Sequence, residues 1–401
     1  MKVLMLGWEL PPHNSGGLGV ACYQMCRALA KKDIDLDFIL PYKAEHNIGF
    51  MKVIAAQPVD VTEIIQSGIA YDSYKYIYFD GREEWKDLYS QVKYYEHAVA
   101  NMAQKMQFDI VHAHDWLTFR AALRIKQQQN VPIILHVHSV ESDRAGGRYG
   151  NPLVREIEEL SLMQADTVIA VSQHTKNAII RDYHIPADKI EVVHNSIDPD
   201  AIIPLDGNND YHYLAQLKTN GWKIVSSINR LTVQKGLVNF LYAARQVVDK
   251  LPKTMFLIVG SGEQYNELVS LSAELGIGAN VMFTGFLRGK EWRDSFDISD
   301  LFVMPSVSEP FGLSPLEAGM YGVPSLISKQ TGISEVLRSC LKVDFWDINE
   351  MANKMISFLR EPALENELKW QLADELSGIG WEMSAGKIKD LYHHHAARVA
   401  V

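Results

Sequence analysis

The stretch S-V-S-E-P-F-G-L-S-P-L-E-A-G-M-Y-G at residues 306–322 follows the apolar run Leu301–Met304, which is typical of a buried strand. A loop with proline and glycine then leads into a predicted helix. We expect Ser314 to be the N-cap of this helix, Pro315 to occupy its first turn, and Glu317 to complete a capping box. The stretch therefore predicts a strand, a loop and a helix in direct succession.

Two carboxylates of this stretch, Glu309 in the loop and Glu317 in the first helical turn, lie eight positions apart. The free N–H groups at a helix start form an anion site. A carboxylate over a sugar, with another beside a helix end that holds phosphate, suits a nucleotide-sugar enzyme. A capped helix with a solvated loop acid is the alternative, and it explains Glu317 well. It does not explain why Glu309 directly precedes P-F-G at 310–312.

The N-terminal half opens with a comparable arrangement. Lys2–Leu6 is a short apolar strand, and the loop S-G-G-L-G at 15–19 leads into a helix from about Val20 to Lys31. A strand, a glycine loop and a helix start form the phosphate-approach geometry of doubly wound α/β folds. Because the loop is not G-x-G-x-x-G, a plain turn is the alternative.

Polar residues end two further strands of this half, in H-A-H-D-W at 112–116 and H-S-V-E at 138–141. Ligands of open α/β sheets bind at the carboxyl ends of strands, so we expect Asp115 and His138 to line a cleft. A satisfied core histidine is the alternative for any single histidine here. The segment D-R-A-G-G-R at 143–148 predicts a mobile loop near that cleft.

The second half repeats the pattern. The strand Lys223–Ile228 ends at N-R-L-T-V-Q-K-G, residues 229–236, where Arg230 and Lys235 flank one strand-to-helix turn. Two cations that converge at the carboxyl end of a strand predict a phosphate site. As solvated loop charges, each would be unremarkable.

Strands alternate with helices in both halves of the chain. The predicted fold class is therefore α/β, with two doubly wound Rossmann-like domains facing one another across a cleft. The polar segment that ends near Gly221 is the natural boundary between them. We predict a first domain at 1–198, a second at 199–378, and a C-terminal helix at 379–401.

Composition excludes several classes of partner. The net charge of −10 argues against nucleic acid or an anionic membrane surface. Cys22, Cys26 and Cys340 are expected to be reduced thiols, and no run approaches transmembrane length, so we expect a cytoplasmic protein. The D-x-D at 35–37 brackets a strand start, and the consecutive histidines 393–395 point in different directions on a helix. We therefore expect no bound metal and no cofactor.

Taken together, these segments resemble the retaining glycosyltransferases that include bacterial and archaeal glycogen synthases, starch synthases and sucrose synthase. The similarity covers nearly the whole chain, and two of the segments, H-A-H-D-W and H-S-V-E, favour the glycogen and starch synthase branch. The matching segments are S-G-G-L-G (15–19), H-A-H-D-W (112–116), H-S-V-E (138–141), N-S-I-D (195–198), N-R-L-T-V-Q-K-G (229–236), G-S-G-E (260–263), F-T-G-F (283–286) and S-E-P-F-G-L-S-P-L-E-A (308–318).

The resemblance implies a role for each matching residue on the donor side. Glu309 would hold the hydroxyls of the donor sugar and stabilise charge at the reacting carbon. Glu317 would bind the ribose hydroxyls, and Arg230 and Lys235 would neutralise the diphosphate. Backbone N–H groups would add to the diphosphate site, and the residues that supply them are Gly17, Ser314, Pro315 and Leu316.

On the acceptor side, the resemblance implies that His138 sits against the transferred glucose and that Asp115 faces the acceptor. It also implies a GT-B fold in which the C-terminal helix, at about 381–392, crosses back to the first domain. Asn14 stands where glycogen synthases of the ADP-glucose type commonly have lysine. The donor is therefore left open between UDP-glucose and ADP-glucose.

The predicted function is transfer of glucose, with retention, from a nucleoside-diphosphate glucose to the non-reducing end of an α-1,4-glucan. Two alternatives stay open. One is a retaining glycosyltransferase that acts on a lipid-linked or envelope saccharide. The other is a non-catalytic protein of the same fold that binds a nucleotide sugar or a glucan.

Overall fold

The computed structural model describes residues 1–13, 17–57, 61–67, 73–78 and 82–399. Contacts within the chain divide it into two compact units. Unit 1 comprises Met1–Ser196 together with Gly380–Val401, and unit 2 comprises Ile197–Ile379.

Strands alternate with helices in the N-terminal segment of unit 1, Met1–Ser196. Its strands are β1 (Lys2–Leu6), β2 (Asp35–Leu40), β3 (Lys52–Ala55), β4 (Val61–Ser67), β5 (Ser73–Tyr78), β6 (Glu83–Asp87), β7 (Ile110–His114), β8 (Ile133–Val137), β9 (Thr167–Ala170) and β10 (Ile190–Val192). Its helices are α1 (Gly17–Ala30), α2 (Leu88–Ala103), α3 (Trp116–Gln129), α4 (Glu141–Arg144), α5 (Pro152–Gln164) and α6 (Gln173–Tyr183).

Seven of these strands form a parallel sheet in the order β10-β9-β8-β7-β1-β2-β3. The central strands β1, β7 and β8 are buried almost throughout, as is typical of a parallel sheet with helices on both faces. The remaining strands, β4, β5 and β6, form a separate antiparallel sheet. The order of the large sheet reverses between β1 and β7. The loops after these two strands therefore form the edge at which such folds bind ligands.

Unit 2 has the same alternation. Its strands are β11 (Lys223–Ile228), β12 (Thr254–Val259), β13 (Val281–Gly285), β14 (Leu301–Met304), β15 (Ser325–Ser328) and β16 (Leu341–Val343). Its helices are α7 (His212–Thr219), α8 (Leu237–Lys250), α9 (Tyr265–Glu274), α10 (Gly289–Asp297), α11 (Ser314–Met320), α12 (Ile348–Arg360) and α13 (Pro362–Ser377).

The six strands of unit 2 are parallel and run in the order β13-β12-β11-β14-β15-β16. Numbered within the unit, this is 3-2-1-4-5-6, the strand order of the Rossmann fold. A core between the sheet and helices α8 and α12, which includes Phe240, Phe256 and Met355, stabilises it. The predicted fold class, two Rossmann-like α/β domains, is confirmed.

The last helix, α14 (Trp381–Val399), belongs to unit 1 and packs against α1. The indole N–H of Trp381 donates to Gln24 Oε1 at 2.9 Å, and His395 Nε2 lies 2.6 Å from Thr167 Oγ1. These buried polar contacts fix the helix on the unit. Among the described helices, this one included, none combines the length and the hydropathy that crossing a membrane requires.

Candidate active site

In unit 2, the residues predicted to bind the donor follow two neighbouring strands. The strands β11 and β14 pair with each other at the point where the strand order reverses. Arg230 and Lys235 follow β11, and Glu309 follows β14. Because both strands point the same way, their following loops meet at one edge of the sheet. That edge is where doubly wound folds bind their ligands.

The side chains of Lys235 and Glu309 form an ion pair between Nζ and Oε2. The Ser306 hydroxyl lies 3.3 Å from the same carboxylate oxygen. The backbone of Glu309 is also held, since its N–H donates to Gln330 O and its C=O accepts from the Gly332 N–H. Lys235 is therefore a largely buried, paired cation. The alternative interpretation, a solvated loop charge, therefore does not hold for Lys235.

The two loops are in direct backbone contact. Gln234 Nε2 donates to Ser308 O at 3.0 Å, and the Val307 N–H donates to Gln234 O at 2.8 Å. Gly236 has φ +67°, and a Cβ at this position would lie 2.1 Å from Pro305 O. Only glycine fits such an approach. These contacts fix the loop that contains Arg230 and Lys235 relative to the loop that contains Glu309.

Arg230 differs from Lys235 in having no carboxylate partner in the part of the chain that the structure describes. The residue is half-buried, and it follows Asn229, whose carbonyl packs against Gly260 so closely that a Cβ there would lie 1.8 Å away. The backbone of Arg230 is thus positioned while its guanidinium stays available. A guanidinium on the same strand-to-helix turn as the paired Lys235 suits an anionic ligand such as a diphosphate.

The start of α11 differs from the prediction. The N-cap position is occupied by Leu313, whose φ and ψ of −78° and −29° are already helical, and no side chain caps it. Ser314 is therefore inside the first turn, and the predicted capping box is wrong. Pro315 has no N–H, and the N–H groups of Leu316 and Glu317 both donate to Leu313 O. Of the three amides predicted to face a diphosphate, only that of Ser314 can do so.

The Glu317 carboxyl group in the first turn of α11 has a shifted pKa. Burial raises the pKa of Glu317 to about 7, and the hydrogen bond from Ser314 opposes this rise. The carboxyl group therefore titrates near neutral pH. A ligand that donates hydrogen bonds to it would favour the ionised form.

In unit 1, Asp115 lies at the end of β7 with an unusual φ of +56°. Its Oδ1 accepts from the N–H of His138 at 2.7 Å and from the N–H of Ser139 at 3.3 Å. Burial raises the pKa of Asp115 to about 7, against the opposing effects of the Arg144 charge and these two amides. Asp115 thus holds the backbone of His138. The predicted contact of Asp115 with an acceptor stays a prediction.

Four histidines form a histidine cluster. His112 and His114 lie on β7, His136 lies on β8, and His138 directly follows β8. His136 stacks on His138, and His112 on His114, with ring centroids 4.4 and 4.5 Å apart, as the alternation of strand faces predicts. His114 Nδ1 lies 3.0 Å from His138 Nε2, and His112 Nδ1 lies 2.6 Å from the Tyr392 hydroxyl. Burial lowers the pKa of His112 and of His138 to about 3, so both rings are neutral at pH 7.

Only residues 145–148 of the predicted loop 143–148 lie in turns, because the first two residues of that segment belong to a helix. Residues 141–144 form α4, and the Arg144 guanidinium is ion-paired with Glu141 and Glu158 and donates to Ser139 O at 2.9 Å. The Arg144 side chain is 3% exposed. The spacing of Glu141 and Arg144, one helical turn apart, is the signal that could have indicated this anchor.

With this geometry in view, comparison with known proteins identifies the family. A family model described as Glycosyltransferase Family 4 matches residues 15–201, and one described as Glycosyl transferases group 1 matches residues 215–371. The chain belongs to the group 1 glycosyltransferases.

Several relatives of this glycosyltransferase carry different names. This chain is 27% identical to the uncharacterized glycosyltransferase MJ1607 of Methanocaldococcus jannaschii, over 84% of this chain and 83% of that protein. It is 25% identical to the glycogen synthase of Mycobacterium tuberculosis, over 98% and 94%. It is 24% identical to an Escherichia coli UDP-Gal:alpha-D-GlcNAc-diphosphoundecaprenol alpha-1,3-galactosyltransferase, over 77% and 79%.

Among solved structures, a sucrose-phosphate synthase from Thermosynechococcus elongatus has the same fold. The TM-score is 0.76, at 20% sequence identity, over 99% of both chains.

Part of the glycine loop of this glycosyltransferase lies outside the described residues. This part comprises Ser15 and Gly16, which were predicted to approach phosphate, and Asn14, which bears on the choice of donor. Gly17 is the first residue of α1 and is exposed. Two residues on, the N–H of Gly19 donates to Glu9 Oε1 at 3.3 Å. The exposed start of α1 leaves the predicted Gly17 contact sterically open.

Among the residues that the structure describes, two sets of three side chains have potential metal-binding atoms within 4.8 Å of one another. The sets are Cys22, His114 and His138, and His112, His114 and His136. Structural zinc sites use four such ligands. All four of these histidines already hydrogen-bond to one another or to Tyr392. The expectation that no metal is needed stays a prediction.

Proposed function

We propose that this glycosyltransferase moves glucose from UDP-glucose or ADP-glucose to the non-reducing end of an α-1,4-glucan, with retention of configuration. The observation that carries the proposal is the Lys235–Glu309 pair at the switch point of the unit 2 sheet, on the same turn as Arg230, which has no carboxylate partner among the described residues. Support for glucan as the acceptor comes from the glycogen synthase relative, which matches 98% of the chain. The galactosyltransferase relative matches 77%.

In this proposal, the donor diphosphate binds to the two cations. The Lys235 ammonium has three N–H donors, so its bond to Glu309 leaves two for phosphate oxygens. Arg230 adds a planar guanidinium that can bind two oxygens at once. The N–H of Ser314 is a further donor, and Glu317 accepts from the ribose hydroxyls.

Two residues are assigned to the transferred glucose in this proposal, a carboxylate of unit 2 and a neutral imidazole of unit 1. Glu309, fixed by Lys235 and Ser306, stabilises the positive charge that develops on the sugar carbon. His138 uses Nε2 toward His114, which leaves Nδ1 for a sugar hydroxyl. Because its pKa is lowered, His138 acts as a hydrogen-bonding group and not as a cation.

The chemical step follows from this charge arrangement. The bond between the sugar carbon and the diphosphate oxygen breaks, and both electrons leave with the diphosphate, which Arg230 and Lys235 stabilise. The acceptor hydroxyl forms the new bond from the same face. Its proton passes to the departing phosphate oxygen. No covalent intermediate is needed, so no side chain has to act as a nucleophile.

A lipid-linked saccharide is the second candidate acceptor. The name of the E. coli galactosyltransferase supports it, as do the exposed apolar side chains Leu153, Leu160 and Met163 of α5. However, the exposed acids Glu156 and Glu159 lie on the same helix, and they oppose binding to an anionic membrane. We therefore rank the glucan acceptor first.

The test is release of nucleoside diphosphate from UDP-glucose, ADP-glucose and UDP-galactose, each with glycogen, maltotriose or an undecaprenyl-diphosphate saccharide. We expect turnover only with a glucose donor and an α-glucan, and an α-1,4 linkage in the product by NMR. Turnover on the lipid-linked acceptor alone would overturn the glucan assignment. The same assay in EDTA tests metal independence, because lost activity restored by magnesium or manganese would contradict it.

A further inference from the structure

Unit 2 has an open depression of about 530 Å³ beside α8, at the connection from β16 to α12. We call it the aromatic groove, and it is lined by Tyr242, Arg245, Gln246, Trp346, Asp347 and Asn349. None of these residues belongs to the proposed donor site. The volume is within the range of ~300–1,000 Å³ that is typical of small-molecule sites.

Two aromatic rings line the groove and face solvent. The Trp346 residue is 58% exposed and Tyr242 is 42% exposed. Single exposed hydrophobic residues are normal on a protein surface, but these two rings line the same depression. Tryptophan and tyrosine combine a flat apolar face with a polar edge. This combination matches a sugar ring, which has a flat C–H face and hydroxyls around its rim.

The segment that carries Trp346 is held in place before any ligand arrives. Asn239 Nδ2 donates to Phe345 O at 3.1 Å, and the Phe345 N–H lies 3.4 Å from Gln330 Oε1. The Phe345 ring packs edge-on against the Trp346 indole, with centroids 4.9 Å apart. A fixed aromatic face loses little conformational freedom on binding.

The two charged side chains of the groove, Arg245 and Asp347, disfavour an anionic ligand. Arg245 is ion-paired with Asp249 at 2.8 Å, and its NH1 donates to Leu275 O at 2.8 Å. Asp347 Oδ1 accepts the Glu350 N–H at the start of α12. An anionic ligand would have to compete with Asp249 for Arg245. The groove therefore favours an uncharged ligand over a phosphate or an anionic lipid.

Amide groups supply the remaining polar surface. Gln246 Nε2 donates to Asn349 Oδ1 at 2.9 Å, which orients both side chains. This bond leaves the Gln246 carbonyl and the Asn349 amino group for a ligand. One acceptor and one donor, held side by side, suit adjacent hydroxyl groups.

We propose that the aromatic groove is a non-catalytic binding site for a neutral glucan chain, whose sugar rings stack on Trp346 and Tyr242. The identity of the glucan as an α-1,4 chain rests on the proposed function. Binding here would hold the enzyme on its polymer between transfers. It would matter for a long branched acceptor and not for a short one.

The experiment measures retention of the protein in native gels that contain glycogen. We expect Trp346→Ala to weaken retention roughly five- to ten-fold, and Tyr242→Ala to weaken it less. Trp370→Ala is the matched control, because Trp370 is 69% exposed on α13 outside the groove, and its retention should equal that of the wild type. Melting temperatures check that each variant is folded.

Turnover on maltotriose separates this inference from the proposed function. We expect Trp346→Ala to keep wild-type turnover on maltotriose and to show a raised KM for glycogen. Wild-type retention by both groove variants would overturn the inference even if the enzyme uses glucans. A wild-type enzyme that uses no glucan would overturn the proposed function by a different measurement. Loss of self-association in Trp346→Ala, with retention unchanged, would identify the groove as a subunit contact and also overturn the inference.

Discussion

At the scale of single residues, Lys235 and Arg230 are both cations of one turn, but their surroundings differ. The Lys235 side chain is 13% exposed and paired with Glu309, whereas Arg230 has no carboxylate partner in the described part of the chain. Lys235→Ala removes the partner of a nearly buried carboxylate. Arg230→Ala leaves no described group unpaired.

We predict that both substitutions lower kcat/KM by about 2–4 kcal/mol of transition-state stabilisation. Only Lys235→Ala should also destabilise the fold, by about 1–3 kcal/mol, since Glu309 then lacks its cation. Denaturant unfolding and steady-state kinetics test this pair. Lys329→Ala is the control, because this lysine is 54% exposed and should affect neither measurement. Equal stability of the Arg230 and Lys235 variants would contradict the buried pair.

Glu309→Gln tests the charge of the carboxylate while keeping its size. The amide can still accept a hydrogen bond from Ser306, so we expect a folded protein that binds UDP or ADP within about three-fold of the wild type. Turnover should fall by at least ~100-fold, because the charge matters most when the sugar carbon becomes cationic. Calorimetric titration and kcat decide it. Near-normal turnover would remove Glu309 from the mechanism.

Glu317 gives a pH prediction. Its pKa of about 7 means that the free carboxyl group is partly protonated at neutral pH, and ribose hydroxyls that donate to it bind the ionised form. The affinity for nucleoside diphosphate should therefore rise with pH through about 7 and level off above it. The Glu317→Gln variant should lose this contribution to the pH dependence of the affinity and should keep the contribution from ionisation of the ligand's phosphate. Titration calorimetry between pH 6 and 8 measures both. Identical pH profiles would show that Glu317 is remote from the nucleotide.

At the scale of elements, the sequence predicts the sheets and the positions of the site loops. Strands buried on both faces must be apolar runs, and ligand loops must follow their carboxyl ends, so Leu301–Met304 and Glu309 were recognisable together. The start of α11 could not be predicted from the sequence, because the helical Leu313 moves the N-cap by one residue. The partners of Lys235 and of His112 could not be predicted from the sequence either. They lie 74 and 280 positions away, and such contacts leave no local pattern.

The helix α14 supports the next prediction. Its Tyr392 hydroxyl is fully buried and lies 2.6 Å from His112 Nδ1. Tyr392→Phe keeps the ring but leaves the histidine nitrogen without its partner, so it should destabilise unit 1 by about 1–2 kcal/mol. Tyr94→Phe, at a 48% exposed position in the same unit, should change stability by less than about 0.5 kcal/mol. Equal unfolding curves for the two variants would contradict a stabilising role of the contact.

At the scale of the whole molecule, the histidine cluster makes the two units differ in acid. Burial lowers the folded-state pKa of all four rings. Such groups stabilise the fold above their unfolded pKa of 6.5, and this stability is lost as pH falls toward the folded value. The loss is about 1.4 kcal/mol per pH unit for each histidine that stays neutral in the fold.

The raised pKa values of Asp115 and Glu158 act in the opposite direction, because these two carboxyl groups add to the stability of the fold as pH falls. The four histidines outnumber them. Unit 2 contains a single histidine, His212. We therefore expect unit 1 to lose stability first between pH 6.5 and 4. Hydrogen exchange by mass spectrometry, with β7 and β8 compared with β11 and β12, measures each unit separately. Earlier loss of protection in β11 and β12 would contradict this.

The return of α14 to unit 1 also has a consequence for biosynthesis. All strands of unit 1 have been synthesised once residue 192 is made, yet the helix that covers His112 follows only after unit 2. At ~5–20 residues per second, translation of the intervening segment takes about 10–40 seconds. Unit 2, continuous in the chain, can fold during that delay. The nascent N-terminal sheet meanwhile exposes the apolar surface that α14 later covers, which makes it a substrate for chaperones that act during translation.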